Sequence, residues 1–140
     1  MANRLSFAAA AAANNAITAL INVGTGTALL RLYSGARPAD PTTAVGSQVK
    51  LAEFSLANPA FAASIAVASA AQAQAAAIAN VNGLANGTAT WFRVLDRNGL
   101  AIMDGDVTAY PGTGALQVPS AVVTLGQPVY IQSWFSVFPQ

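Results

Sequence analysis

Five carboxylates carry the only acid–base chemistry this chain offers near neutral pH: Asp40, Glu53, Asp96, Asp104 and Asp106. Histidine and cysteine are both absent. That removes the commonest general base, the commonest metal ligand, any thiolate site and any disulfide. No serine can be matched with a histidine, so a hydrolase triad is excluded. A two-carboxylate glycoside hydrolase stays open in principle, because the sequence does not say which carboxylates meet. Asp104-Gly105-Asp106 offers paired hard oxygens to a cation, but it lacks the further oxygens of a calcium loop and reads as a turn. Gly24-Thr25-Gly26-Thr27 and Gly112-Thr113-Gly114 lack the lysine of a phosphate-binding loop and read as connections. Asn86-Gly87-Thr88 fits a glycosylation acceptor, which has meaning only in a secreted protein. The sequence predicts no catalytic centre, no cofactor and no bound metal.

The aromatic residues are more informative. In residues 129–138 the alternation puts Val129, Ile131, Phe135 and Val137 on one face and Tyr130, Gln132, Trp134 and Phe138 on the other. A strand of an antiparallel sheet usually buries one face and wets the other. Large rings on both faces call for a second cover, which a helix, another subunit or a partner could supply. Trp91 poses the same question on its own strand. Tyr33, Trp91, Tyr130, Trp134 and Phe138 are therefore the predicted contact residues, since Trp and Tyr are favoured at interfaces. Residues 1–7 could serve as an arm reaching a neighbour.

These residues need elements to hold them. Residues 7–21 are alanine-rich and predict a helix, with Ser6 as its cap and Ile17, Leu20 and Ile21 as its apolar stripe. Gly24 and Gly26 end it. Beyond it the period changes to two. Residues 28–34, 49–56 and 88–96 alternate as strands, with the Asn98-Gly99 turn returning residues 100–103 antiparallel. Short strands are expected at 107–110, 115–118 and 120–124, and a long one at 129–138. Residues 35–48 read as a long loop. Residues 64–79 have helical composition but alternate at Ile65 and Val67, and two short strands, 65–70 and 75–79, are the preferred reading. The expected fold is a single all-β domain: a jelly-roll-like antiparallel sandwich of about eight strands over 28–140, with the helix and an arm in residues 1–27.

The chain has 140 residues and a mass of 14.1 kDa, enough for one domain with a real core. Its 33 alanines carry little burial energy, so Leu, Ile, Val and the aromatics must supply that core. Only 8% of residues are charged, against about 25% in an ordinary soluble domain. Residues 54–92 contain no charge at all. A freely diffusing protein needs surface charge for solubility, so much of this surface is expected to be covered in an assembly. Arg4, Arg31, Arg37, Lys50, Arg93 and Arg97 are scattered, which argues against nucleic-acid binding. Residues 1–20 resemble a signal peptide only faintly, because the apolar run is nearly all alanine and Asn14 and Asn15 interrupt it. No segment reads as a membrane span.

The order of segments carries a resemblance. The alanine-rich helix is followed by Leu-Leu-Arg-Leu-Tyr-Ser-Gly at 29–35 and Arg-Pro-Ala-Asp at 37–40. Leu-Ala-Glu-Phe-Ser-Leu-Ala-Asn-Pro-Ala-Phe at 51–61 and Thr-Ala-Thr-Trp-Phe-Arg-Val-Leu-Asp-Arg-Asn-Gly at 88–99 complete it. Over most of its length the chain resembles the cement or decoration proteins of tailed bacteriophage capsids, in particular the jelly-roll cement proteins of short-tailed phages. The resemblance implies a non-enzymatic virion protein, present in many copies on the capsid exterior. Its implied partners are a major capsid protein of the HK97 fold and its own copies, as dimers or less often trimers, without direct contact to nucleic acid or membrane. A tail, neck or fibre-associated binding module is the alternative expectation.

Overall fold

A computed structural model describes residues 3–140 of the chain. The expected helix, α1 (Phe7–Ile21), is present. The Ser6 hydroxyl caps it by accepting a hydrogen bond from the Ala9 amide at 3.2 Å. Among the described residues twelve strands follow: β1 (Leu29–Tyr33), β2 (Lys50–Ser55), β3 (Ile65–Val67), β4 (Ala70–Gln74), β5 (Val81–Asn82), β6 (Gly87–Thr88), β7 (Trp91–Leu95), β8 (Ala101–Ala109), β9 (Leu116–Val118), β10 (Val122–Val123), β11 (Pro128–Val129) and β12 (Phe135–Pro139). A five-stranded sheet runs in the order β2-β1-β7-β8-β9, and a three-stranded sheet in the order β12-β4-β3. Two short ladders, β10-β6 and β11-β5, complete the pairing. The molecule is thus mostly β with one helix, which packs on the three-stranded sheet against β3, β4 and β12.

The core lies on the inner face of the five-stranded sheet, where Leu30, Leu32, Phe54, Phe92 and Val94 are buried. Trp134 joins this layer to the rest of the chain. Its ring meets Phe92 edge-on at 5.4 Å between centroids and Phe61 at 4.8 Å. Such edge-to-face pairs add roughly 0.5–1.5 kcal/mol to the burial of the rings themselves.

Several local expectations are corrected. The helix buries Ala10, Asn14, Thr18 and Ile21, while Leu20 stands 50% exposed. The stripe turns because Asn14 is drawn inward by hydrogen bonds to the sheet, and small alanines there allow close approach. Residues 64–79 do form two strands, but at Ile65–Val67 and Ala70–Gln74: the turn falls at Ala68 and Ser69, where Ala68 takes φ +51°, and the strand expected at 75–79 is reduced to a single bridge at Ala75. Asp104-Gly105-Asp106 is no turn and lies inside β8. Gly105 is needed there because a Cβ would stand 2.5 Å from the Phe92 ring. β9 pairs parallel to β8, after a short link over residues 110–115. Gly112 permits this tight return, since a Cβ on it would overlap the Thr108 hydroxyl. The long final strand is broken into β11 and β12 by irregular backbone at residues 130–134. That break moves Trp134 to the core side and leaves Phe135 and Val137 facing outward.

Candidate interaction surface

The outer face of the five-stranded sheet holds most of the charge. Cross-strand register sets Glu53 opposite Arg31, Arg31 opposite Arg93, and Arg93 opposite Asp104. Two arginines side by side would repel, and each is neutralised by the carboxylate on its far side. Arg31 Nε donates to Glu53 Oε2 at 2.7 Å, and Lys50 Nζ donates to the same oxygen at 3.0 Å. Arg93 forks onto both oxygens of Asp104, at 2.7 and 2.8 Å, with both side chains almost fully buried. A forked guanidinium–carboxylate pair is among the strongest side-chain contacts. The remaining Arg93 N–H groups donate to the carbonyls of Thr43 and Asp40 and hold the 35–48 loop over the sheet. Arg37 of that loop reaches Asp106 at 3.1 Å.

The next row of the same face explains two of the predicted aromatic residues. Tyr33 and Trp91 are opposite each other in β1 and β7 and stack at 4.5 Å with planes 13° apart. The Arg93 guanidinium lies 5.5 Å from the Trp91 ring centre, a cation–π contact. Tyr33 and Trp91 are 3% and 1% exposed. The Trp91 Nε1–H is the one buried side-chain polar atom without a partner among the described residues, so the Tyr33 stack and the Arg93 contact hold the ring without a hydrogen bond.

Every carboxylate already has a partner in the fold. Glu53, Asp104 and Asp106 hold cations. Asp96 Oδ1 accepts from the amides of Asn98 and Leu100 at 2.9 Å and shapes the hairpin turn. Asp40 accepts from Thr42 and Thr43. Hydrogen bonds from the Thr42 hydroxyl and amide hold the Asp40 carboxyl below its usual range. Burial pushes Glu53 up, but the hydrogen bonds and charges of Lys50 and Arg31 outweigh it and leave the group lowered. Hydrogen bonding to Asp104 raises Arg93 further above its already high value. Among the described residues no three His, Cys, Asp or Glu side chains come together as a metal site.

The three-stranded sheet is chemically opposite. Residues 54–92 and 107–140 contain no charge, and β3, β4 and β12 all fall within them. Its inner face lies under α1. There the Asn14 amide donates to Ser64 Oγ at 2.9 Å and to the Ser136 carbonyl at 3.0 Å. Asn14 also accepts from the Ser136 hydroxyl at 2.6 Å, and Asn15 Oδ1 accepts from the Ser64 amide at 2.9 Å. Its outer face carries Ile65, Val67, Phe135 and Val137, which are 63%, 41%, 37% and 58% exposed, on either side of Ala70, Gln72 and Gln74 of β4. Beside this face opens a cleft of about 700 Å³, walled by Gln72, Phe135 and Val137 on one side and by Tyr110, Gln117 and Pro119 on the other.

The five predicted contact residues therefore separate. Tyr33, Trp91 and Trp134 are corrected: each is packed inside the chain and has no surface to offer a partner. Tyr130 is 56% exposed and Phe138 is half-buried. Of the predicted arm, Met1 and Ala2 lie outside the described residues, and Asn3 to Ser6 are exposed. Ile65, Val67, Phe135 and Val137 were not singled out as contacts by sequence. Their signal was the uncharged alternation Ile65-Ala66-Val67 within an alanine-rich segment. No family model, curated protein or solved structure matches the chain, so this surface is read from its own residues.

Proposed function

We propose that this chain is a non-enzymatic structural protein of a phage particle, which binds the outside of the capsid and stabilises it by bridging major capsid subunits of the HK97 fold. The observation that carries the reading is the uncharged outer face of the three-stranded sheet, with Ile65, Val67, Phe135 and Val137 left in solvent. Apolar surface of that kind marks a contact site. The shortage of charge supports the same reading, as does the use of every carboxylate in internal bracing. We read the two larger sheets as a jelly-roll-like sandwich and expect the chain to associate with its own copies, as dimers before trimers. Many weak contacts repeated over a symmetric shell bind strongly together, because each contact after the first is intramolecular.

The test is the number of copies per purified particle, measured by quantitative mass spectrometry against the major capsid protein. Hundreds of copies in simple ratio to the capsid protein is the expected result. A handful of copies would favour the second reading, a tail, neck or fibre-associated binding module. The cleft beside the apolar face supports that alternative, because Gln72, Gln117 and Gln132 stand among aromatic rings without any charge. Absence from the particle would overturn both.

A further inference from the structure

We infer that the outer edge of β12 pairs with β12 of a second copy, antiparallel, about a two-fold axis within the strand. This deepens the self-association proposed above and rests on that part of the reading alone.

Among the described residues β12 pairs only with β4, so the backbone groups on its other edge have no strand partner. The bonds at the two ends of the ladder identify the residues that face this edge. Gln140 N donates to the Ser69 carbonyl at 3.0 Å, and Ala75 N donates to the Trp134 carbonyl at 2.8 Å. Antiparallel partners alternate between bonded and non-bonded pairs. Ser136 and Phe138 therefore exchange bonds with Ala73 and Ala71, and Phe135 and Val137 turn their N–H and C=O groups outward. An open row of backbone groups is a template for another strand unless it is protected.

The chain protects its other outer strands. β2 carries Lys50 and Glu53, and its Leu51 carbonyl accepts from the Leu84 amide at 2.8 Å. β3 and β9 are cut to three residues each. β12 has five residues, no charge, and none within residues 107–140 to shield it. Its one blunting device is Pro139, which lacks an N–H.

A second copy fits this edge by symmetry, since any strand can meet itself antiparallel across a two-fold axis. Neither β12 carries a charged side chain to repel the other. Two registers satisfy this edge equally. Setting Phe135 opposite Pro139 centres the axis on Val137 and makes four bonds, one in each Phe135–Pro139 pair because Pro139 lacks an N–H, and two between the Val137 residues. Centring on Ser136 sets Phe135 opposite Val137 of the other copy, and the symmetric pair likewise, each exchanging two bonds. The two three-stranded sheets then join, and the uncharged outer face becomes continuous across the axis.

The test is sedimentation equilibrium of the full chain, with amide hydrogen exchange followed by NMR. The expected result is a species of twice 14.1 kDa, with slow exchange at Phe135 and Val137. Val137→Pro removes an outward N–H without touching a bond to β4. It should raise the dissociation constant by roughly tenfold or more with an unchanged circular dichroism spectrum. Should that variant misfold, Phe135→Cys with Val137→Cys decides: the chain has no other cysteine, and oxidation should give a covalent dimer. A monomer at all concentrations, free exchange at both amides within a dimer, or no covalent dimer would overturn the inference. A monomer present in hundreds of copies per particle would remove the pairing and leave the shell reading intact. A dimer missing from the particle would do the reverse.

Discussion

The two sheets of this molecule spend their outer faces differently. On the five-stranded sheet the outer face is closed from within: arginines, carboxylates, a Tyr–Trp stack and a pinned loop satisfy one another. On the three-stranded sheet the outer face is uncharged and leaves Ile65, Val67, Phe135 and Val137 in solvent beside the neutral amides of Gln72 and Gln74. A polar layer needs no partner because its groups already have theirs, whereas an apolar layer gains by being covered. The difference teaches where to look for binding: charge marks the braced side, and its absence marks the side left free.

That contrast can be broken most forcefully at Asp104. Asp104→Ala leaves the Arg93 guanidinium buried without its counter-charge, and should cost about 3–5 kcal/mol in urea unfolding. A loss below about 1 kcal/mol would show that the charged face is ornament and not bracing. Asn14→Ala tests the helix latch. It strips partners from the Ser136 and Ser64 hydroxyls and should cost about 1–3 kcal/mol by the same measurement.

A smaller effect belongs to pH. The folded Glu53 carboxyl sits below its ordinary value of 4.5. Its contribution is therefore fully present above that value and fades as pH falls through the lower folded one. Partial exposure keeps it under about 1 kcal/mol. Unfolding curves of Glu53→Gln and the parent should differ at pH 7 and converge in acid. Convergence on raising the pH would refute the assignment. The smallest stability change is expected on the open face. Ile65→Lys should alter unfolding by no more than about 0.5 kcal/mol, yet reduce retention on purified particles. A large stability loss there would mean the face is already part of the core.

Much of this architecture was legible in residue order. The alanine run, with Ser6 before it and glycines after it, specified α1 because capping and propensity act within one or two turns of chain. Leu30 and Leu32 against Arg31 specified β1 by simple alternation. Asp104-Gly105-Asp106 misled, since a glycine between carboxylates looks the same in a turn as beside a neighbouring aromatic ring. Asn14 carried a readable hint: an asparagine inside an alanine helix weakens it unless a tertiary partner compensates. The contact residues were the least legible. Trp91 and Trp134 are large and amphipathic, and those properties suit an interface and a core equally.

Sequence alone determined the helix α1, the alternating strands β1, β2 and β7, the shortage of charge and the lack of histidine and cysteine, because each is a property of residues close together or of the chain's composition. Tertiary structure alone decided which strand faces are covered, which carboxylate meets which arginine, and that Trp134 packs inward while Phe135 and Val137 stay in solvent. Alternation supplies a strand with two faces and no instruction about which one is covered. That choice depends on register and layering between residues dozens of positions apart, and a break of a few residues before β12 was enough to exchange them.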